Sequence, residues 1–171
     1  MNIWLLVMGW IFLCVSESSC FAKEPSRTVA AQTQTKRFFD NGDGTVLDSQ
    51  TGLMWAAQDN GSNITWQDAK AYCENYKGGG FADWRMPTIE ELRSIYDMHY
   101  SRIPECSNKY PNLDPIHITP LIHLSCSWIW SSELQGVSVA RLFDFNRCCE
   151  SLSALYGSFP PRTLPVRTTR K

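Results

Sequence analysis

Apolar positions alternate early in the chain and then switch to helical spacing. Arg37-Phe38-Phe39-Asp40, Thr45-Val46-Leu47-Asp48 and Leu53-Met54-Trp55 each read as a strand. Asn41-Gly42-Asp43-Gly44 and the turn from Ser49 to Gly52 separate them with residues that tolerate positive φ. The prediction is an antiparallel meander with its apolar positions on one side. Trp66, Ala69, Cys73 and Tyr76 then recur at helical spacing. Thr65 starts this first helix, Asp68 is a short capping partner, and Gly78-Gly79-Gly80 stops it.

Asp83-Trp84-Arg85-Met86-Pro87-Thr88-Ile89-Glu90-Glu91-Leu92 is the densest run. Pro87 biases Met86 toward an extended conformation, so Trp84-Arg85-Met86 reads as a short strand or taut connector. Thr88 and Glu91 form a T-x-x-E capping box ahead of Ile89, Leu92, Ile95 and Tyr96, one buried face of a second helix reaching about His99. Trp84, Arg85, Thr88 and Glu91 therefore have structural roles. Residues 100–127 carry Pro104, Pro111, Pro115 and Pro120 and form a long irregular segment bracketed by Cys106 and Cys126. A loop this long inside a compact domain is usually functional or stapled. Trp128 to Ser132, with Trp130 as a structural residue, is a strand. Gln135-Gly136 turns the chain, and Val137 to Phe145 returns antiparallel.

The 171 residues divide into a leader and one domain. Residues 1–22 read as a secretory signal: Ile3 to Val15 is too short for a comfortable membrane span, and Cys20-Phe21-Ala22 offers small residues for cleavage after Ala22. The run has no Lys or Arg ahead of it, and an uncleaved anchor is the alternative. Residues 23–36 are a polar, flexible lead-in. Residues 37–171 are the domain. Export to the periplasm, cell surface or outside follows, with no integral membrane span after signal removal.

Without residues 1–22 the chain has 16 basic and 16 acidic residues, so no global field steers it to nucleic acid or membrane. Positive charge concentrates after residue 140, and Arg147, Arg162, Arg167 and Arg170 are the candidate contacts to an anionic ligand. Five cysteines remain of seven: Cys73, Cys106, Cys126, Cys148 and Cys149. Disulfides are expected after export, and the odd count leaves a thiol free or bridged to a partner, which also allows an oligomer. Antiparallel pairing of the last two strands puts Cys126 near Cys148 or Cys149, so a Cys126–Cys148 bridge is geometrically reasonable.

Little else points to chemistry. Spacing does not suit zinc, and Asp40 to Gly44 puts glycines where a calcium loop needs side-chain oxygens. His117 and His123 lie near Asp114 in the proline-rich segment without metal-site spacing. No cofactor or metal is expected. No nucleophile–base or carboxylate pair is evident, so an enzyme is not expected.

DWRMPTIEEL resembles the DWRLPT-x-x-EL signature of the family named after the C-terminal domain of the Legionella collagen-like adhesin. The resemblance takes in Arg37 to Val46, Thr51-Gly52-Leu53-Met54-Trp55, Trp66-Gln67-Asp68-Ala69, Ala71-Tyr72-Cys73, Trp130-Ser131-Ser132 and Phe143-Asp144-Phe145. It implies an α+β, C-type-lectin-like fold: two helices packed on small antiparallel sheets, with a long irregular loop that carries ligand contacts. It implies a non-catalytic binding module whose partner is a surface glycan, a sulfated polysaccharide or an envelope protein. The alternative is a structural subunit of an envelope or secretion assembly. The family's closing strand has a Cys where this chain has Thr168. In lectin-like domains that Cys bridges to helix one, so Cys73 is left to pair with Cys149 or Cys106 or to stay a buried thiol.

Overall fold

Thr45 to Asp48 and Leu53 to Ala56 form the middle of a sheet, and Val46, Leu53, Trp55 and Ala56 are buried in its larger core with Ile89 and Leu92, Ile116 to Leu124, and Leu164 and Val166. The computed structural model describes residues 36–108, 114–156 and 161–169. The expected signal segment, the lead-in up to residue 35 and Arg170 lie outside them. Thr35–Lys171 forms one compact unit. The first sheet joins β1 (Phe38–Asp40), β2 (Thr45–Asp48), β3 (Leu53–Ala56) and β7 (Val166–Thr168) in the order β1-β2-β3-β7, all antiparallel. Gly42 and Gly44, at φ 74° and 81°, turn β1 into β2 in a conformation that side chains with a Cβ resist. The second sheet is β4 (Trp128–Leu134), β5 (Val139–Asp144) and β6 (Cys149–Ala154), again antiparallel.

Helix α1 spans Trp66–Asn75. Thr65 caps it, accepting from the Asp68 amide at 3.3 Å. Helix α2 spans Ile89–Ser94. It stops short of the expected His99 because Ile95 leaves helical geometry and Tyr96 pairs its backbone with Ile118 instead. Among the described residues no helix is long and apolar enough to cross a membrane.

The two faces of the second sheet serve different cores. Trp130, Ala140 and Leu142 face α1, meeting Ala69, Cys73 and Met86. Ile129 and Phe143 face the larger core with Val46, Trp55, Leu92, Ile116 and Leu164. Each fully buried aliphatic or aromatic side chain there stabilises the fold by roughly 1.5–3 kcal/mol relative to exposure. The result is the α+β architecture expected: two helices on small antiparallel sheets and a long irregular segment.

That segment is not a loose flap. Ile116, Ile118, Ile122 and Leu124 are buried. Arg102 and Ile116 exchange backbone hydrogen bonds at 3.1 and 2.8 Å. The disulfide is Cys106–Cys126, with Cα atoms 5.3 Å apart, and not the expected Cys126–Cys148. The segment doubles back so that the Cys106 amide donates to Ser125 O at 2.9 Å, which sets the two cysteines side by side. Cys148 instead packs against the larger core. Cys73, Cys148 and Cys149 are free thiols.

The stretch 161–166 ties the halves together. Arg162 exchanges backbone hydrogen bonds with Trp128 and Trp130 of β4, at 2.8 and 2.9 Å. Four residues later Val166 pairs with Trp55 and bonds Arg85 in both directions.

A cleft at the stapled end of the long segment

The run Asp59-Asn60-Gly61-Ser62-Asn63 follows β3 as a turn-rich connector, and its polar side chains are spent on fixing backbone. Asp59 accepts from the Gly61 amide at 2.8 Å and from the Ser125 amide at 2.7 Å. The Ser125 hydroxyl reaches both Asp59 oxygens, at 3.0 and 2.9 Å. Asn60 Oδ1 accepts from the Thr163 amide at 2.8 Å. These bonds span 66 and 103 positions of chain, so they join three distant segments at one place.

Arg162 lies beside this knot, 8% exposed. Its Nε donates to Ser125 Oγ at 3.0 Å, and its Nη1 donates to Asn63 Oδ1. A cleft of about 510 Å³ opens over it, its wall formed by Gly61, Ser62, Asn63, Glu105, the disulfide's Cys106 and Ser125. Glu105 is the acid on that wall and bonds His123 Nε2 at 2.8 Å. Burial pushes the Asp59 carboxyl above its usual range. The bonds from Gly61 and Ser125 and the nearby charge of Arg162 offset that only in part. The arrangement presents a rigid guanidinium edge, amide and hydroxyl groups and one carboxylate, a set that can hold a polar or singly charged group.

A second concavity of about 400 Å³ runs between α1 and the signature segment, lined by Trp66, Lys70, Glu74, Arg85, Met86, Thr88 and Ser132. Its walls are braced. Arg85 holds Glu91 through two bonds of 2.8 and 2.6 Å and also donates to Met86 O. Thr88 and Glu91 close the capping box. Trp84 is buried edge-on to Tyr76, its indole N–H on Gly78 O at 3.2 Å. Trp130 is fully buried with its indole N–H on Ile64 O at 2.9 Å.

Of the candidate arginines, the three described, Arg147, Arg162 and Arg167, do not stand together as surface cations. Arg167 is buried, stacked 3.8 Å from the Phe81 ring centre and paired with Asp83 at 2.7 Å. It is a structural tie. Arg147 is exposed on the turn between β5 and β6. Arg162 is the one of these three that lines a cleft described here. Asp59 and Ser125 drew no attention in the sequence, because a polar turn residue and a serine 66 positions apart carry no local signal of pairing.

The histidines are dispersed. His99 Nδ1 bonds Asp97, His117 Nδ1 bonds Tyr100 O, and His123 bonds Glu105, each at 2.8 Å. Among the described residues, no three His, Cys, Asp or Glu side chains gather in a way that could hold a metal ion.

The family model of the Lcl C-terminal domain matches residues 44–166. The chain belongs to this family. The match begins at Gly44, inside the β1–β2 turn, and ends at Val166, the first residue of β7. It therefore takes in both helices, the whole second sheet and the stapled segment, and the cleft at Arg162 is built entirely from residues of the Lcl C-terminal domain. No curated protein matches the chain.

Proposed function

We propose that this Lcl C-terminal domain is the exported, non-catalytic binding module of an adhesin-like protein, and that it takes a surface glycan in the Arg162 cleft. The observation that carries this reading is the guanidinium of Arg162, set in a cleft wall by Ser125 and Asn63 and braced behind by Asp59. The Cys106–Cys126 disulfide and the apolar stretch within residues 1–22 support export. Arg167 is committed to Asp83, and Glu105 faces the one cleft arginine. The preferred ligand is therefore a sugar unit with hydroxyls and a single carboxylate or sulfate, rather than a long polyanion. The Ser125 hydroxyl is taken up in linking Asp59 to Arg162, which supports a binding role for the site.

Binding of the purified protein to a glycan array at low and high salt tests this. The expected result is binding to singly charged or hydroxyl-rich glycans, weakened by Asn63→Ala and by Arg162→Lys. Near-ultraviolet circular dichroism checks that each variant is folded. An array with no bound glycan, or binding indifferent to both substitutions, rejects the reading.

A second reading, a subunit of an envelope assembly, is favoured by exposed apolar side chains around the outer strand: Val137 at 97%, Tyr156 at 74% and Leu152 at 55%. Crosslinking in cells distinguishes it. A protein that is monomeric and uncrosslinked at its native level counts against the assembly.

A further inference from the structure

The odd cysteine count has a structural answer. Of the five cysteines after residue 22, Cys106 and Cys126 are joined. Cys73 is fully buried on α1 against the Thr163 hydroxyl at 3.2 Å. Burial is the main cause that pushes its thiol up to about 12, so it is inert to exchange at neutral pH. Two adjacent, half-buried free thiols remain, Cys148 and Cys149.

Their backbone is unusual. Cys148 has φ 53°, and no other non-glycine among the described residues has positive φ. In an extended strand, neighbouring side chains diverge to opposite faces. A left-handed residue immediately before β6 interrupts that alternation. Cys148 packs against the larger core. Cys149 begins β6 opposite Asp144, β6 is an edge strand of its sheet, and Arg147 just before the pair is exposed while both cysteines are half-buried.

We propose that Cys148 and Cys149 are a reversible dithiol–disulfide site that closes on itself when it meets a low-molecular-weight disulfide. One cysteine, as thiolate, attacks a sulfur of the oxidant, forms a mixed disulfide and releases one thiol. Its neighbour then attacks the protein sulfur of that mixed disulfide, closes a small ring through the shared peptide bond and releases the second thiol. Two cysteine thiols are oxidised, one S–S bond of the oxidant is reduced, and the two protons pass to the released thiols. The ring is strained, because adjacent Cα atoms lie about 3.8 Å apart and an ordinary disulfide spans roughly 4.4–6.8 Å. It therefore reopens at a lower reductant concentration than Cys106–Cys126, whose Cα separation is 5.3 Å. Cys73 is then the odd one of the five.

The test uses the protein with Cys106–Cys126 intact and its other thiols reduced, treated with oxidised glutathione, alkylated and digested with trypsin. Cleavage after Arg147 and Arg162 isolates a peptide whose cysteines are Cys148 and Cys149 alone. The expected peptide is lighter than the dithiol by two hydrogen atoms and carries no alkyl group. Titration with dithiothreitol should restore both alkylation sites at roughly tenfold lower concentration, or less, than Cys106–Cys126 requires. Cys148→Ser and Cys149→Ser should each hold glutathione as a stable mixed disulfide, because the resolving thiol is gone. Glutathione retained on the unsubstituted protein, a disulfide-linked dimer on a non-reducing gel, or both cysteines alkylated after oxidation would each overturn the proposal.

Discussion

The signature segment, residues 83–92, and the described part of the stapled segment, residues 100–108 and 114–127, are both held in place, but for opposite reasons. The first is held by neighbours in sequence. Thr88 and Glu91 cap each other three residues apart, and Arg85 reaches Glu91 six residues on. The second has almost no regular structure and is held from outside, by buried Ile116, Ile122 and Leu124, by the disulfide and by Asp59 66 positions from Ser125. Rigidity from local bonds can be read in sequence, whereas rigidity from distant ones has to be seen.

The comparison breaks most sharply at the aliphatic anchors. Leu124 and Leu92 are equally buried, and replacing either by Ala is expected to cost about 2–5 kcal/mol in urea unfolding. If Leu124→Ala cost far less than Leu92→Ala, the stapled segment would be a detachable cover. Next comes the staple. The double variant Cys106→Ser, Cys126→Ser should lose roughly 3 kcal/mol under oxidising conditions and nothing against the reduced wild type. A smaller effect belongs to the local bonds. Glu91→Gln should cost about 1–2 kcal/mol, reduced by the partial exposure of Arg85.

The smallest expected effect is in pH dependence, and its sign differs between the two regions. Burial raises the Glu91 carboxyl, but the bond and charge of Arg85 and the bonds from Thr88 outweigh it, so it lies below its usual 4.5. Its contribution is present above pH 4.5 and lost as pH falls through the lower folded value. Asp59 lies above its usual 3.8 because burial prevails. Its ionisation opposes folding, a penalty absent below pH 3.8 that grows as pH rises through the raised folded value. Acid titration of stability should therefore narrow the gap between wild type and Glu91→Gln. It should move Asp59→Asn the other way, with wild type gaining relative to the variant as pH falls.

Legibility followed the same division. The meander was readable because apolar alternation and Gly42 and Gly44 are adjacent facts. So was the capping box. The length of α2 was not, because the apolar pattern continues to Tyr96 while a backbone bridge to Ile118 ends the helix. Strand β6 went unread, since Cys149-Glu150-Ser151-Leu152-Ser153-Ala154 contains one large apolar residue and forms an outer edge. The partner of Cys126 depended on the path of a segment with no regular pattern. Of the cleft, Arg162 was legible as a cation, but the Asp59–Ser125 knot that fixes its neighbourhood was not.

The stretch 161–166 also dictates an order of assembly. It brings Leu164 and Val166 to the larger core, Arg162 to β4 and the start of β7 to β3. While a nascent chain still holds these residues inside the ribosome, the first sheet lacks β7 and the cleft lacks Arg162. Closure of the larger core then waits for synthesis to reach about residue 168, the end of β7.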